Sequence, residues 1–205
     1  MIKWLGHLKT VLLHKFWVFR YSLLAGIPWR GLFHDMSKFS PTEFCESARF
    51  YKGARSPIYY TRQANNFSKA WLHHRGRNSH HFEYWIDNPT PNYLIVLPMP
   101  FKFALELICD RLSAGRAYQK QSFSMKKQLE RFDQELAPSP IIHPQTKRFI
   151  QLMFEALDTA NNFRDELHVF RQAKKFYAQA WDETVVTDEP AFMRVEYHDK
   201  PIGKL

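Results

Sequence analysis

The chain has 205 residues, with 29 Lys and Arg against 20 Asp and Glu, a formal charge of +9 with histidine neutral. That length suits one domain with a substantial core. A content of 45% hydrophobic and 24% charged residues excludes the disordered and collagen-like classes. The basic balance admits phosphates, nucleotides or nucleic acid as partners. The two cysteines, Cys45 and Cys109, do not form a CxxC pair, which excludes a disulfide framework and thiolate zinc and fits a reducing cytoplasm.

In chain order, Leu5, Leu8, Leu12, Phe16, Phe19 and Leu23 recur at spacings of three and four, which predicts an amphipathic helix with that face buried. Lys3, His7, Lys9, His14, Lys15 and Arg20 interrupt it too often for a signal peptide or a membrane span, so no membrane partner is expected. Gly26 and Pro28 end it. Ser40-Pro41-Thr42-Glu43 reads as a capping box opening a helix to about Tyr51. After a loop at Pro57, a longer helix is predicted over Ser68 to Ile86, stopped by Asn88-Pro89-Thr90-Pro91. Phe101 to Tyr118 follows, with Phe103, Leu107, Asp110, Ala114 and Ala117 on one face. Pro138, Pro140 and Pro144 separate two more helices, the later running from about Gln145 with a break near Asn161 and Asn162. The expected fold is an all-α compact helical bundle, one domain over residues 1–182, with 183–205 an irregular C-terminal tail.

The chemistry concentrates in histidine and aspartate. His34-Asp35 puts an imidazole beside a carboxylate at the end of an apolar segment, where both reach one ion only beside the helix end. His73, His74, His80 and His81 fall within nine residues; on a continuous helix His74, Asn78 and His81 share one face, and His73, Arg77 and His80 the next. Protonated together beside Arg75 and Arg77 they would repel, and metal coordination gives a reason to keep several neutral. Asp110, on an apolar face, needs a cation or several donors.

The ordered set His14, His34-Asp35 within Leu32-Phe33-His34-Asp35-Met36-Ser37-Lys38, then Asp110, resembles the H…HD…D signature of the HD-domain superfamily of metal-dependent phosphohydrolases. Over about the first 150 residues, the blocks Leu13 to Phe19, Gly31 to Phe44, Ala70 to Asn78 with His80-His81, and Cys109-Asp110 look like an uncharacterised bacterial and phage family of HD-like proteins. The resemblance implies an HD-type helical fold with His14, His34, Asp35 and Asp110 as metal ligands. His74 and His81 resemble the extra histidines with which some HD proteins hold two metals, although the GYP tripeptide of one such branch is absent.

This implies one or two divalent ions, Mn, Fe, Co, Ni or Zn, and a water activated for attack on a small phosphorylated compound such as a nucleotide. Asp35 would bridge the ions and hold that water. Lys38, Arg75, Arg77 and Asn78 are candidates for binding the phosphorylated substrate, with Lys38 also a catalytic candidate. Glu83 is a candidate general base or orienter of a ligand histidine. A di-iron oxygenase on the same residues is the enzymatic alternative. A basic nucleic-acid-binding protein using Trp71, Arg75, Arg77 and Trp85 is the alternative of another class.

Overall fold

A computed structural model describes residues 2–91, 93–184 and 194–197. The fold is mostly α, as the sequence predicts, with ten α-helices among the described residues. Close Cα packing divides it into two compact units, the first Met1–Asn78 with Cys109–Phe123, the second Ser79–Ile108 with Ser124–Leu205.

The first unit is built on α1 (Ile2–Leu24), α2 (Pro28–Phe33), α3 (Pro41–Phe50), α4 (Pro57–Asn65), α5 (Lys69–Arg75) and the C-terminal half of α6 (Phe101–Gln119). Here α1 departs from expectation. The face it buries is His7, Val11, His14, Val18 and Tyr21, whereas Leu5, Leu12, Phe16, Phe19 and Leu23 are exposed. Both series repeat at three and four, so apolar spacing alone marks two faces. Polar partners decide between them: Tyr21 accepts a hydrogen bond from Arg116 of α6 (3.1 Å), and His14 meets the Asp110 carboxylate. Gly26, at φ +71°, turns the chain out of α1, and Pro28 opens α2 with its ring in the first turn. Gly31 lets α2 lie close on α1, since a Cβ there would overlap Ser22 and come within 3.2 Å of the Phe19 Cα.

Two carboxylates on α3 fasten α5. The Glu46 carboxylate accepts from the Lys69 and Ala70 amides and from the Ser68 hydroxyl, where the partial positive charge of the helix start favours an anion. Ser68 in turn caps the Trp71 amide. The predicted helix over Ser68 to Ile86 ends much earlier, at Arg75, where Gly76 serves as its C-cap and the His74 carbonyl gathers the Arg77 and Asn78 backbone N–H groups and, at 2.8 Å, the Asn78 side-chain amide. The stretch to Trp85 is turn and a short 3₁₀ helix, Phe82–Trp85.

In the second unit, Ile86–Thr90 (β1) and Tyr93–Val96 (β2) pair antiparallel, and Arg194–Tyr197 (β3) adds parallel to β2. The first of these strands contains Asn88-Pro89-Thr90, expected above only to stop a helix. β3 lies in the expected irregular tail, the rest of which from residue 185 is outside the described residues. Four helices follow α6: α7 (Met125–Arg131), α8 (Pro144–Asp158), α9 (Phe163–Arg171) and α10 (Ala173–Asp182). Asn162 caps α9 through the Arg164 and Asp165 amides, placing the expected break. Phe149, Ile150, Met153 and Phe154 of α8 supply much of this unit's core.

Candidate metal centre

Within the first unit, α1, α6 and the turn after α2 bring four side chains together. The α2 helix ends at Phe33, and Asp35 takes a left-handed backbone, φ 53° and ψ 31°, that starts a 3₁₀ turn, Met36–Phe39. Asp tolerates that region better than most side chains. The reversal aims the His34 and Asp35 side chains at a common point, which successive residues of a regular helix, about 100° apart, do not share. Lys15 locks the turn from α1, its ammonium donating to the Leu32 and His34 carbonyls at 3.2 and 2.8 Å. Those are carbonyls the end of α2 leaves free.

The four are His14, His34, Asp35 and Asp110, all buried, each offering one donor atom within 4.8 Å of the others. His14 Nε2 lies 3.1 Å from Asp110 Oδ1, and His34 Nε2 lies 3.4 Å from the same oxygen. From Asp35 Oδ2 the distances are 3.1 Å to His34 Nε2 and 3.8 Å to His14 Nε2. An ion about 2.1 Å from each of several ligands leaves them roughly 3.0–3.4 Å apart, so these spacings suit a shared cation. Burial works to raise the Asp110 carboxyl, but hydrogen bonds and charge from His14 and His34 outweigh it and hold the pKa well below the ordinary aspartate value. The carboxylate is therefore ionised at neutral pH, the form that ligates a metal.

Asp35 also faces a fifth residue. His74 Nε2 stands 3.3 Å from Asp35 Oδ1, the oxygen opposite the one shared with His14 and His34. Its Nδ1 is 2.8 Å from Glu43 Oε2, and the other Glu43 oxygen holds His73 Nδ1 at 2.6 Å. A carboxylate on one imidazole nitrogen fixes the tautomer that presents the other as a ligand. Burial pushes the Glu43 carboxyl up, but bonding to His74, His73 and Ser37 prevails and lowers its pKa. The box read at Ser40 is half made: the Ser40 hydroxyl accepts from the Glu43 amide, while the carboxylate turns to the histidines.

Lys38 completes the group, its Nζ 2.6 Å from Asp35 Oδ2 and its side chain 28% exposed. Burial disfavours this ammonium, yet the Asp35 and Asp110 carboxylates raise its pKa above the usual lysine value. Asn78, expected as a substrate-binding candidate, donates to the Ser37 hydroxyl at 2.9 Å and to the His74 carbonyl, bracing the end of α5. Arg77 is exposed and reaches back to the His73 carbonyl, and Arg75 is half-buried at the end of α5. The shared helical face of His74 and His81 does not exist, since α5 ends between them. His81 belongs to the second unit, its ring centroid 4.2 Å from that of His80 and tilted 45° to it, and His80 Nδ1 lies 3.5 Å from Glu106. Glu83 sits in the 3₁₀ helix of the same unit, and in the first unit it is Glu43 that bonds Nδ1 of both His73 and His74.

Sequence reasoning missed Glu43 as more than a cap, Lys15 as a clamp, and the buried Glu106. Glu106 carried a readable signal, lying one helical turn before Asp110 on α6. A model of a family of unknown function, DUF5662, matches residues 3–156. The chain belongs to that family. The span matched by DUF5662 contains His14, His34, Asp35, Glu43, His74 and Asp110. Neither a curated protein nor a solved structure gives a significant match.

Proposed function

We propose that this DUF5662 protein is a metal-dependent phosphohydrolase of the HD type, acting on a nucleotide or another small phosphorylated compound. The observation that carries the reading is the convergence of two imidazoles and two carboxylates, His14, His34, Asp35 and Asp110, at one buried point. These four residues would hold a divalent ion of the Mn, Fe, Co, Ni or Zn class, with His74 beyond Asp35 as a ligand toward a second. A bound divalent ion supplies a Lewis acid and a water of lowered pKa, the two needs of phosphate ester hydrolysis.

The chain's own residues do the rest. Asp110 stays ionised and offers charge to the site. Asp35, with His14 and His34 near one oxygen and His74 near the other, would offer a carboxylate oxygen to each ion. Glu43 keeps His74 Nε2 turned toward Asp35. Lys38 retains its proton because its pKa is raised, so its part is that of a fixed cation neutralising phosphate charge rather than a proton donor.

The test is metal content by elemental analysis of untagged protein purified without chelator, compared with a His34→Ala/Asp35→Ala variant, followed by a screen of nucleotides and simple phosphate esters. Near-stoichiometric metal absent from the variant, with phosphate release that follows metal loading, is the expected result. If no metal binds even after reconstitution with Mn, Fe, Co, Ni and Zn in turn, the reading fails.

A further inference from the structure

Among the described residues, the outward face of α1 is a helix-packing seam left exposed along its length. Its exposed positions Leu5, Lys9, Leu12, Phe16, Phe19 and Leu23 follow one another at steps of four and three, the spacing that lets two helices interlock side chains along their length. The apolar five are 63%, 52%, 59%, 38% and 54% exposed. Beside them on α2 stand Trp29, Leu32 and Phe33, at 73%, 45% and 66%. Taking about 200 Å² for each such side chain when fully exposed, the patch presents roughly 900 Å² of apolar surface. That exceeds the 300–600 Å² of the largest patch on a typical monomer and matches the roughly 800 Å² that each partner contributes to a stable interface.

We infer that this face binds a second copy of the same chain, α1 packing antiparallel on α1 about a twofold axis near residue 14. The register follows from the seam. In the antiparallel pairing Leu5 meets Leu23 of the second copy, Leu12 meets Phe16, and Lys9, the seam's polar position, meets the ring of Phe19, where an ammonium is attracted to the aromatic face. Lys15 and Arg20 come opposite Leu13 and Leu8. A parallel pairing would set Lys9 against Lys9 and align every basic residue of α1 with its like, with no acidic residue before Asp35 to compensate. A twofold interface uses the same patch on both copies, as this register requires. The opposite face of α1 carries His14, so pairing would stiffen the helix that positions a candidate ligand without covering it.

The experiment uses the full chain. Sedimentation equilibrium should give the mass of two chains, and a Leu12→Glu/Phe16→Glu variant the mass of one, with helicity by circular dichroism unchanged because both positions are exposed. In a Cys45→Ser background, Leu5→Cys mixed with Leu23→Cys should cross-link under mild oxidation, whereas Leu5→Cys alone should not, since positions 5 and 23 lie about 27 Å apart along the helix. A single-chain mass for the wild type at every concentration overturns the inference. Self-cross-linking of Leu5→Cys overturns the antiparallel register. A single chain that co-sediments with anionic lipid vesicles, and loses that with Leu12→Glu/Phe16→Glu, overturns the second copy and gives the face to lipid.

Discussion

His74 has two chemically equivalent ways to sit, and Glu43 removes one of them by bonding Nδ1. Loss of such an outer carboxylate usually costs 10–100-fold in metal affinity. Glu43→Gln should therefore keep the fold and lower affinity for the second ion by about that factor, read by competitive metal titration; unchanged stoichiometry and affinity would remove Glu43 from the site. His7 is the clearest acid-sensitive residue. It is buried against Phe44 and Tyr51, and burial, reinforced by the Lys38 charge, lowers its pKa to about 4. A folded-state pKa below the unfolded value means that the unfolded chain binds the proton first as pH falls. The native state therefore loses stability between about pH 6.5 and pH 4, by about 3 kcal/mol in all. His7→Phe should lose that much less over the same interval, measured by urea unfolding at pH 7 and pH 4. At this scale no one of His14, His34, Asp35 and Asp110 marks a ligand by itself; their order and the context around His34-Asp35, read as a resemblance, give the set that the fold brings together. Glu43 was not, because its spacing from Ser40 already had a sufficient local explanation and its partners lie thirty residues away.

Among elements, the close approach of α2 to α1 at Gly31 sets where the His34-Asp35 turn is delivered. Gly31→Ala would drive a methyl into Ser22 and the α1 backbone, and overpacking of this kind costs about 1–3 kcal/mol. Denaturant midpoints should fall accordingly, and metal affinity with them; an unperturbed midpoint would mean that the helices slide apart freely. The elements show why periodicity reads length better than orientation. The helix expected over Phe101 to Tyr118 matches α6 to within a residue, since Pro98 and Pro100 mark its start and its apolar face repeats at helical spacing to Ala117. For α1 the helix itself is plain from the sequence but its buried face is the other one: two series share the same period, and the one that carries His7 and His14 is buried because Asp110 and Arg116 of α6 supply its polar partners. The helix after Ser68 was drawn too long because composition continued past Gly76 while the backbone did not.

At the scale of the whole molecule, a cation held only by the folded chain raises its stability by mass action, about 2.7 kcal/mol when present at a hundred times its dissociation constant. Thermal unfolding should shift upward with added Mn or Zn and return with chelator, and His34→Ala/Asp35→Ala should abolish the shift; identical curves with and without metal would argue against the centre. Mostly helical architecture followed from scarce glycine and proline-marked loops. The small sheet escaped notice, since β1 is rich in turn-forming residues and β3 pairs with a segment about a hundred residues earlier. The first unit is also discontinuous in sequence, its final piece beginning at Cys109. On a ribosome adding roughly 5–20 residues each second, His14, His34, Asp35 and His74 emerge seconds before Asp110, so for that interval the nascent chain lacks one of the two carboxylates of the group. Loading of the proposed ion would thereby be tied to the order of synthesis: an ion captured early would be held by an incomplete set of ligands until the sixth helix arrived to close the cage.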